Sequence, residues 1–183
     1  MSLHIDRRDG LVKLPNGFVI SAHLSQDEFR ASEWFAATVR DVGTRPFVHY
    51  YFSCGEVEGR GLVANLSFYD QMLLSIDLQA DLSRPGPKDW SNYSLEVEAA
   101  TKRFHEDLLR KILGEPGSDG TMHSSQRSPS QATLDRPCSW KFSWGQVSSF
   151  HDQQGGGTFI MISYGNRNEE ANRAYRSRKV GAA

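Results

Sequence analysis

The sequence predicts an α+β domain built on an antiparallel sheet, in the order ββ-α-βββ-α-ββ, with two helices packed on the sheet. Apolar residues recur at every second position in some segments and at every third or fourth position in others, as is typical of strands and helices respectively. Tight-turn sequences separate neighbouring strand segments. The composition, 183 residues with 38% hydrophobic and 23% charged, is typical of one globular domain.

The first strand pair and the first helix follow one another near the N-terminus. In residues 11–21, apolar residues flank Asn16-Gly17, and an Asn-Gly pair between short apolar runs is a strong hairpin signal. Ser25 and Glu28 form a capping-box pattern, in which each side chain bonds the backbone N–H of the other residue. We expect a helix over residues 25–41, ended by the glycine and proline that follow.

Residues 47–80 form the centre of the predicted sheet, as three strands joined by turns at residues 58–61 and 69–71. The third strand alternates most clearly between apolar and polar side chains, so we expect one buried face and one wetter face. The side chains expected to point inward are Met72, Leu74, Ile76 and Leu78, and those on the wetter face are Ser75, Asp77 and Gln79.

A second helix is predicted over residues 93–113, because apolar residues recur there at steps of three and four. That apolar stripe consists of Val97, Ala100, Phe104, Leu108 and Ile112. The spacing places His105 on the polar side of the helix. Gly114 favours a left-handed conformation that ends the helix, and Pro116 prevents its continuation.

The rest of the chain determines the domain organisation. Residues 115–136 are rich in polar residues and glycine, which predicts a mobile loop inserted in the domain. The strands predicted over residues 140–150 and 158–164 are too few to form a second domain, so we expect them to return to the same sheet. Residues 1–165 are therefore predicted to form a single α+β domain, and residues 166–183 a basic C-terminal tail.

The net charge narrows the classes of partner, and the cysteine content predicts the cellular compartment. The formal net charge is −1, which argues against electrostatic capture of nucleic acid or of a membrane surface. The sequence has no stretch approaching the ~20 apolar residues of a membrane span. Cys54 and Cys138 are expected to be reduced thiols in a cytoplasmic protein.

No combination of residues predicts catalysis. Cys54 and His49 form the one tempting nucleophile–base pair, but five residues apart on one strand they point to opposite faces. His151-Asp152 begins a glycine-rich hairpin turn, where aspartate is common for conformational reasons. The histidines lack the spacing of a metal site. We therefore expect no catalytic residues, no cofactor and no metal.

Aromatic residues lie on or beside most predicted strands. Their commonest use is core packing, but some are expected on an open sheet face, where Tyr and Trp anchor protein partners. Tyr51 shares a face with His49, opposite that of the apolar strand neighbours. The candidate partner-binding residues are therefore Tyr51, His49, Tyr69, Asp70 and His151.

Two segments resemble a known class of proteins. Residues 14–29, LPNGFVISAHLSQDEF, and residues 144–164, WGQVSSFHDQQGGGTFIMISY, are similar to small uncharacterised bacterial α+β proteins of the toxin-immunity type. The resemblance implies a cytoplasmic antitoxin that binds a cognate secreted toxin and blocks it without catalysis.

The leading hypothesis is a non-enzymatic protein-binding domain, with an immunity protein as its specific form and a toxin or effector as its partner. One alternative is a secretion adaptor or effector chaperone with an apolar groove for a partner helix. Another is an enzyme or small-ligand carrier with a pocket between sheet and helices. An enclosed cavity lined by His49, Asp77 or His151 with strongly shifted pKa values would favour that second alternative.

Overall fold

The computed structural model describes residues 2–43, 45–80, 93–116, 128–136 and 138–181. The strands are β1 (His4–Ile5), β2 (Val12–Lys13), β3 (Val19–Ile20), β4 (Thr38–Val42), β5 (Phe47–Val57), β6 (Arg60–Tyr69), β7 (Met72–Ala80), β8 (Cys138–Phe142), β9 (Gly145–Asp152) and β10 (Gly157–Tyr164). The helices are α1 (Gln26–Ala31), a 3-10 helix (Glu33–Ala37), α2 (Leu95–Leu113), α3 (Pro129–Asp135) and α4 (Arg167–Gly181).

Seven strands form one antiparallel sheet in the order β4-β5-β6-β7-β10-β9-β8. The last strand, β10, pairs with β7, with Ile160 opposite Leu78 and Ile162 opposite Ile76. This pairing confirms that the C-terminal strands return to the sheet formed by the central strands. The α+β class predicted from the sequence is confirmed.

The predicted strand order ββ-α-βββ-α-ββ was wrong in detail. The hairpin of β2 and β3 joins β1 in a separate three-stranded sheet and adds no strand to the large one. The strand β4 was predicted as part of the first helix. The single strand predicted over residues 140–150 is instead the hairpin of β8 and β9, which turns at Ser143 and Trp144.

The first helix ends at Ala31, ten residues earlier than predicted. Its capping box is confirmed, since the Ser25 side chain accepts from the Glu28 backbone N–H and the Glu28 carboxylate accepts from Ser25. Ser32 adopts an extended conformation and its hydroxyl donates to the Phe29 carbonyl at 2.6 Å, which ends the helix. The β-branched residues of β4 then favour a strand.

One face of the large sheet, the inner face, carries the main core. Phe29 of α1 packs there on Tyr50 and Phe52, with ring centroids 5.2 and 5.7 Å apart. The small sheet and α2 complete this core. Two hydrogen bonds join the small sheet to the last strands: Trp144 Nε1 donates to the Arg7 carbonyl at 3.1 Å, and the Tyr164 hydroxyl donates to the Gly10 carbonyl at 3.0 Å.

The buried face of α2 differs from the predicted apolar stripe. Leu108 is buried as expected, but the other members of the stripe are only partly buried. His105 was expected on the polar side and is instead fully buried, where Nε2 accepts from the Ala80 backbone N–H. Burial, together with the nearby Lys102, lowers the pKa of His105 to about 3. Lys102 and Glu106 are fully buried as well and form an ion pair at 2.5 Å.

The helix α3 lies inside residues 115–136, for which the sequence predicted a loop. Its Leu134 is buried, and Arg136, directly after it, contacts the buried carboxylate of Glu106. A helix held by a contact to a buried carboxylate need not show a periodic pattern of apolar residues. Hydrophobic periodicity in the sequence therefore does not predict it. Residues 117–127 of the expected loop lie outside the described residues.

The second face of the large sheet, the outer face, is covered at one end by α4. Ala171 packs there against Tyr69 and Leu74, and the rings of Tyr175 and Phe47 are 5.4 Å apart. The expectation that Met72 and Leu74 point inward was therefore wrong, since both belong to this outer cluster, whereas Ile76 and Leu78 do belong to the inner core. Among the helices of the described residues, none is both long and apolar enough to cross a membrane.

Candidate functional site

Cross-strand pairing defines which side chains share the outer face beyond α4. Directly opposed residues in an antiparallel sheet lie on the same face. One row of partners runs across six strands through Tyr51, Asn65, Asp77, Met161, Ser148 and Ser139. Small polar side chains are frequent on this face, in contrast to the apolar inner face.

A cleft of about 270 Å3, the outer cleft, opens on this face. Asn65, Asp77 and Gln79 contribute its polar lining, and its aromatic lining comes from Tyr51, Phe150 and Phe159. His49 and Asp152 also line it. The cleft therefore joins β5, β6 and β7 to the β9–β10 hairpin, which lies far away in sequence.

A chain of hydrogen bonds links the polar groups of the cleft. Asn65 Nδ2 donates to Asp77 Oδ2 at 2.9 Å and to Ser67 Oγ at 3.3 Å. Ser67 Oγ is in turn 2.9 Å from His49 Nδ1. Because Ser67 accepts from Asn65, its own hydroxyl proton is available for His49 Nδ1. The hydroxyl can equally accept from a protonated Nδ1, so either tautomer of His49 fits this contact.

Burial shifts the pKa values of the two titratable groups in this chain. It raises the pKa of Asp77 to about 6, although the hydrogen bond from Asn65 acts in the opposite direction. Burial also lowers the pKa of His49. At neutral pH, Asp77 is therefore mostly ionised while His49 is neutral. Asp77 forms no ion pair with any described residue.

Asn65 contributes a buried acceptor without a donor. The residue is 8% exposed, and its Oδ1 has no hydrogen-bond partner among the described residues. Buried polar atoms are nearly always hydrogen-bonded, so such an atom in a cleft is a candidate contact for a bound group.

The structure places two of the five predicted partner-binding residues, His49 and Tyr51, in the outer cleft. Tyr69 is only 6% exposed, and the Arg178 guanidinium lies 5.4 Å from its ring centroid. Asp70 forms an ion pair with Arg178 at 2.9 Å. Tyr69 and Asp70 thus lie at the β6–β7 turn against α4, apart from the cleft.

His151 lies on the inner side of β9, in a second cavity of about 410 Å3 lined also by Gln131, Asp135 and Gln153. Its Nδ1 is 3.1 Å from Thr158 Oγ1. Its neighbour Asp152, one position further along the strand, lines the outer cleft. The five predicted residues therefore do not form a single site.

None of the described residues that line the outer cleft is Ser, Thr or Cys; Ser67, whose hydroxyl contacts His49, is buried and does not line it. Cys54 and His49 point to opposite faces of β5, as the sequence predicted. Cys54 donates to the Leu62 carbonyl at 3.2 Å, and burial raises the pKa of its thiol to about 12. Within the described ranges, no group of three or more His, Cys, Asp or Glu side chains is arranged to hold a metal ion.

Sequence reasoning missed Asn65, Phe150 and Phe159 as lining residues. The alternation of polar side chains in β6 and β7 was the available signal for Asn65, since it places that residue on the same wetter face as Asp77. No local signal connected the two phenylalanines to this face, because their position depends on the pairing of β10 with β7.

Comparisons with known proteins do not assign a family. No family model and no curated protein matches the chain. A solved structure titled "Rhs1-CT in complex with cognate immunity protein RhsI1" aligns over 97% of this chain and 97% of that chain. The sequence identity is 14% and the TM-score is 0.49, a likeness too slight to identify fold family or function.

Proposed function

We propose that this protein is a non-enzymatic protein-binding domain that docks its partner on the outer face of the large sheet. The outer cleft is the observation that carries this proposal. Its aromatic rings and half-buried polar groups are the kinds of side chain that anchor protein interfaces. The inner face is filled by the core, and no Ser, Thr or Cys is among the described residues that line the cleft.

The specific form of the proposal is an immunity protein that binds a cognate bacterial toxin and blocks it by occlusion. The resemblance of residues 14–29 and 144–164 to proteins of the toxin-immunity type supports this form. The second of these segments contributes Phe150, Asp152 and Phe159 to the outer cleft. The resembling segment is thus also part of the proposed docking surface.

A second candidate function, binding of a small ligand with or without turnover, has one observation in its favour. His49 and Asp77 line the same cleft, and the pKa of Asp77 is raised to about 6. The cleft lies on the outer face, however, and not between sheet and helices. Its volume of about 270 Å3 is below the roughly 300–1,000 Å3 typical of small-molecule pockets. These two features favour a protein partner.

Cross-linking within a captured complex tests the proposal. The tagged protein is expressed in its source bacterium, captured, treated with a lysine-reactive cross-linker and analysed by mass spectrometry. Lys141 lies in a row of the outer face, opposite Gln146, whereas Lys13 lies on the small sheet and Lys111 on α2. We expect cross-links from a partner protein to Lys141.

A matched pair of variants gives this experiment its control. Phe150→Ala removes one wall of the cleft and should weaken capture of the partner, whereas Val19→Ala, at a 47% exposed position on the small sheet, should not. Cross-links confined to Lys13 or Lys111, or retention of a metabolite with no protein, would contradict the proposal.

A further inference from the structure

We propose that the outer cleft is a receptor for one arginine side chain, which the partner protein inserts between the aromatic walls to reach Asn65 and Asp77. The inference rests on the proposed function, because it names the chemistry by which the same surface recognises its partner. Four features of the cleft support it: its acceptors, its charge, its walls and its size.

The first feature is a pair of adjacent acceptors that lack donors. Asn65 and Asp77 are direct cross-strand partners, so their side chains are neighbours on the outer face. Among the described residues, neither Asn65 Oδ1 nor Asp77 Oδ1 has a hydrogen-bond partner. A guanidinium has five N–H donors and no acceptor, so it matches this pair.

The second feature is the unbalanced charge. The cleft is lined by the acidic residues Asp77 and Asp152, and none of its described lining residues is Lys or Arg. His49 does not balance this negative charge, because burial lowers its pKa and its imidazole is neutral at neutral pH. A largely buried carboxylate without a cation among the described lining residues is unfavourable, and an added cation would relieve it.

The third feature is the aromatic lining. Tyr51, Phe150 and Phe159 line the cleft, and the rings of the two phenylalanines have centroids 5.9 Å apart. A cation over an aromatic face is attracted by the ring, and this attraction increases where water is excluded. The planar guanidinium of arginine also stacks on rings, whereas the compact ammonium of lysine is more strongly hydrated.

The fourth feature is size. A volume of about 270 Å3 is too small for a partner helix or for most metabolites, and suits one long side chain. Arginine is preferred to lysine because its fork contacts two acceptors at once, on β6 and on β7. A buried arginine paired in this way is among the commonest interface hot spots.

Nuclear magnetic resonance tests the inference without knowledge of the partner. The probes are N-acetyl-arginine amide, its neutral isostere N-acetyl-citrulline amide and N-acetyl-lysine amide. We expect the arginine probe to shift the side-chain amide resonances of Asn65 saturably, and the citrulline probe to bind roughly tenfold more weakly or worse. The lysine probe should bind more weakly than the arginine probe.

Two variants make the result specific to the cleft. Asp77→Asn keeps the side-chain shape and should weaken binding of the arginine probe by roughly tenfold or more. Glu33→Gln removes one negative charge at an exposed position on the 3-10 helix and should leave it unchanged. Equal binding of citrulline and arginine, or equal binding of lysine and arginine, would overturn the inference.

The capture experiment separates failure of this inference from failure of the proposed function. If a partner cross-linked to Lys141 is captured equally by the wild type and by Asp77→Asn, the inference is overturned and the proposed function stands. If the arginine probe binds but no protein cross-links to Lys141, the proposed function fails, and the insertion of a partner side chain fails with it.

Discussion

Asn65 and Asp77 are cross-strand partners on the outer face, and the Asn65 amide donates a 2.9 Å hydrogen bond to Asp77 Oδ2. This bond holds a largely buried carboxylate in place, but it does not supply the positive charge that would balance it. Asn65 also donates to Ser67, and its Oδ1 has no hydrogen-bond partner in the part of the chain that the structure describes. The two side chains are thus held in position, but their remaining oxygens have no donor among the described residues. Binding groups often lower the stability of the free protein in this way.

The first prediction concerns the cost of Asp77 to the stability of the protein. Asp77→Asn should stabilise the isolated protein at pH 8 by about 1–3 kcal/mol, since one unit of pKa shift corresponds to about 1.4 kcal/mol. The pKa of Asp77 is raised from 3.8 to about 6, so its favourable contribution is complete below pH 3.8 and is lost as the pH rises through about 6. Urea unfolding at pH 4 and at pH 8 measures the difference.

The sign of the pH effect distinguishes this prediction from a generic mutational effect. The stability gained by Asp77→Asn should be small at pH 4 and should grow toward pH 8. A variant that is less stable than the wild type at pH 8 would show that Asp77 is a structural residue.

The second prediction concerns the pH dependence of partner binding. Protonation of Asp77 removes the charge that attracts the cation, so affinity should fall below pH 6, by roughly tenfold at pH 5. The other titratable side chains lining the cleft are His49, Tyr51 and Asp152. Burial lowers the pKa of His49. Titration calorimetry with the captured partner at pH 5 and pH 8 measures the effect.

Asp77→Asn serves as the reference for that measurement. Binding by this variant should be weak and nearly independent of pH between 5 and 8. If wild type and variant show the same pH dependence, the titrating group lies elsewhere, on the partner or at another residue.

Much of the hairpin and capping structure could be predicted from the sequence, because its causes are local. Ser25 and Glu28 form the predicted capping box, and the strand boundaries at Phe47 and Val57 are as predicted. The C-terminal end of the first helix could not be predicted in this way. There the extended conformation of Ser32 ends the helix, although the following residues continue a helical apolar pattern.

The pairing that assembles the cleft depends on a feature that the sequence pattern does not reveal. An unbroken register from the β6–β7 turn would place Asn65 opposite Ile76. An extra residue in β7, Leu74, shifts the register by one, so that Asn65 pairs with Asp77. Inner-face residues of β6 then remain opposite inner-face residues of β7, and outer-face residues opposite outer-face ones. Simple alternation across β7 therefore assigned Met72 and Leu74 to the wrong face.

The third prediction concerns Lys102 and Glu106, whose burial in the core was not predicted from the sequence. Glu106 contacts Lys102, Arg110 and Arg136, whereas Lys102 has Glu106 as its ion-pair partner among the described residues. Glu106→Gln removes the ion-pair partner of the fully buried Lys102 and should cost about 3–5 kcal/mol in the free energy of unfolding. Lys102→Met leaves Glu106 with two arginines and should cost less. Urea unfolding at pH 7 compares the two.

A double variant checks the cause of that asymmetry. Lys102→Met combined with Glu106→Gln should be more stable than Glu106→Gln alone, because the buried ammonium that lost its ion-pair partner is removed as well. A larger cost for Lys102→Met than for Glu106→Gln would contradict the proposed dependence of Lys102 on a single partner.

The last prediction concerns the contact that joins the small sheet to the strands behind the cleft. Gly10 and Gly59 share a φ of +74°, but a Cβ at Gly10 would lie 2.6 Å from the Trp144 ring, whereas at Gly59 it would meet nothing within 4 Å. Gly59→Ala should therefore cost about 1–2 kcal/mol from backbone strain alone. Gly10→Ala should cost about 1–3 kcal/mol more from the clash, measured by urea unfolding. This extra cost should shrink when Trp144→Leu is also present, and equal costs for both alanine variants would show that the ring yields freely.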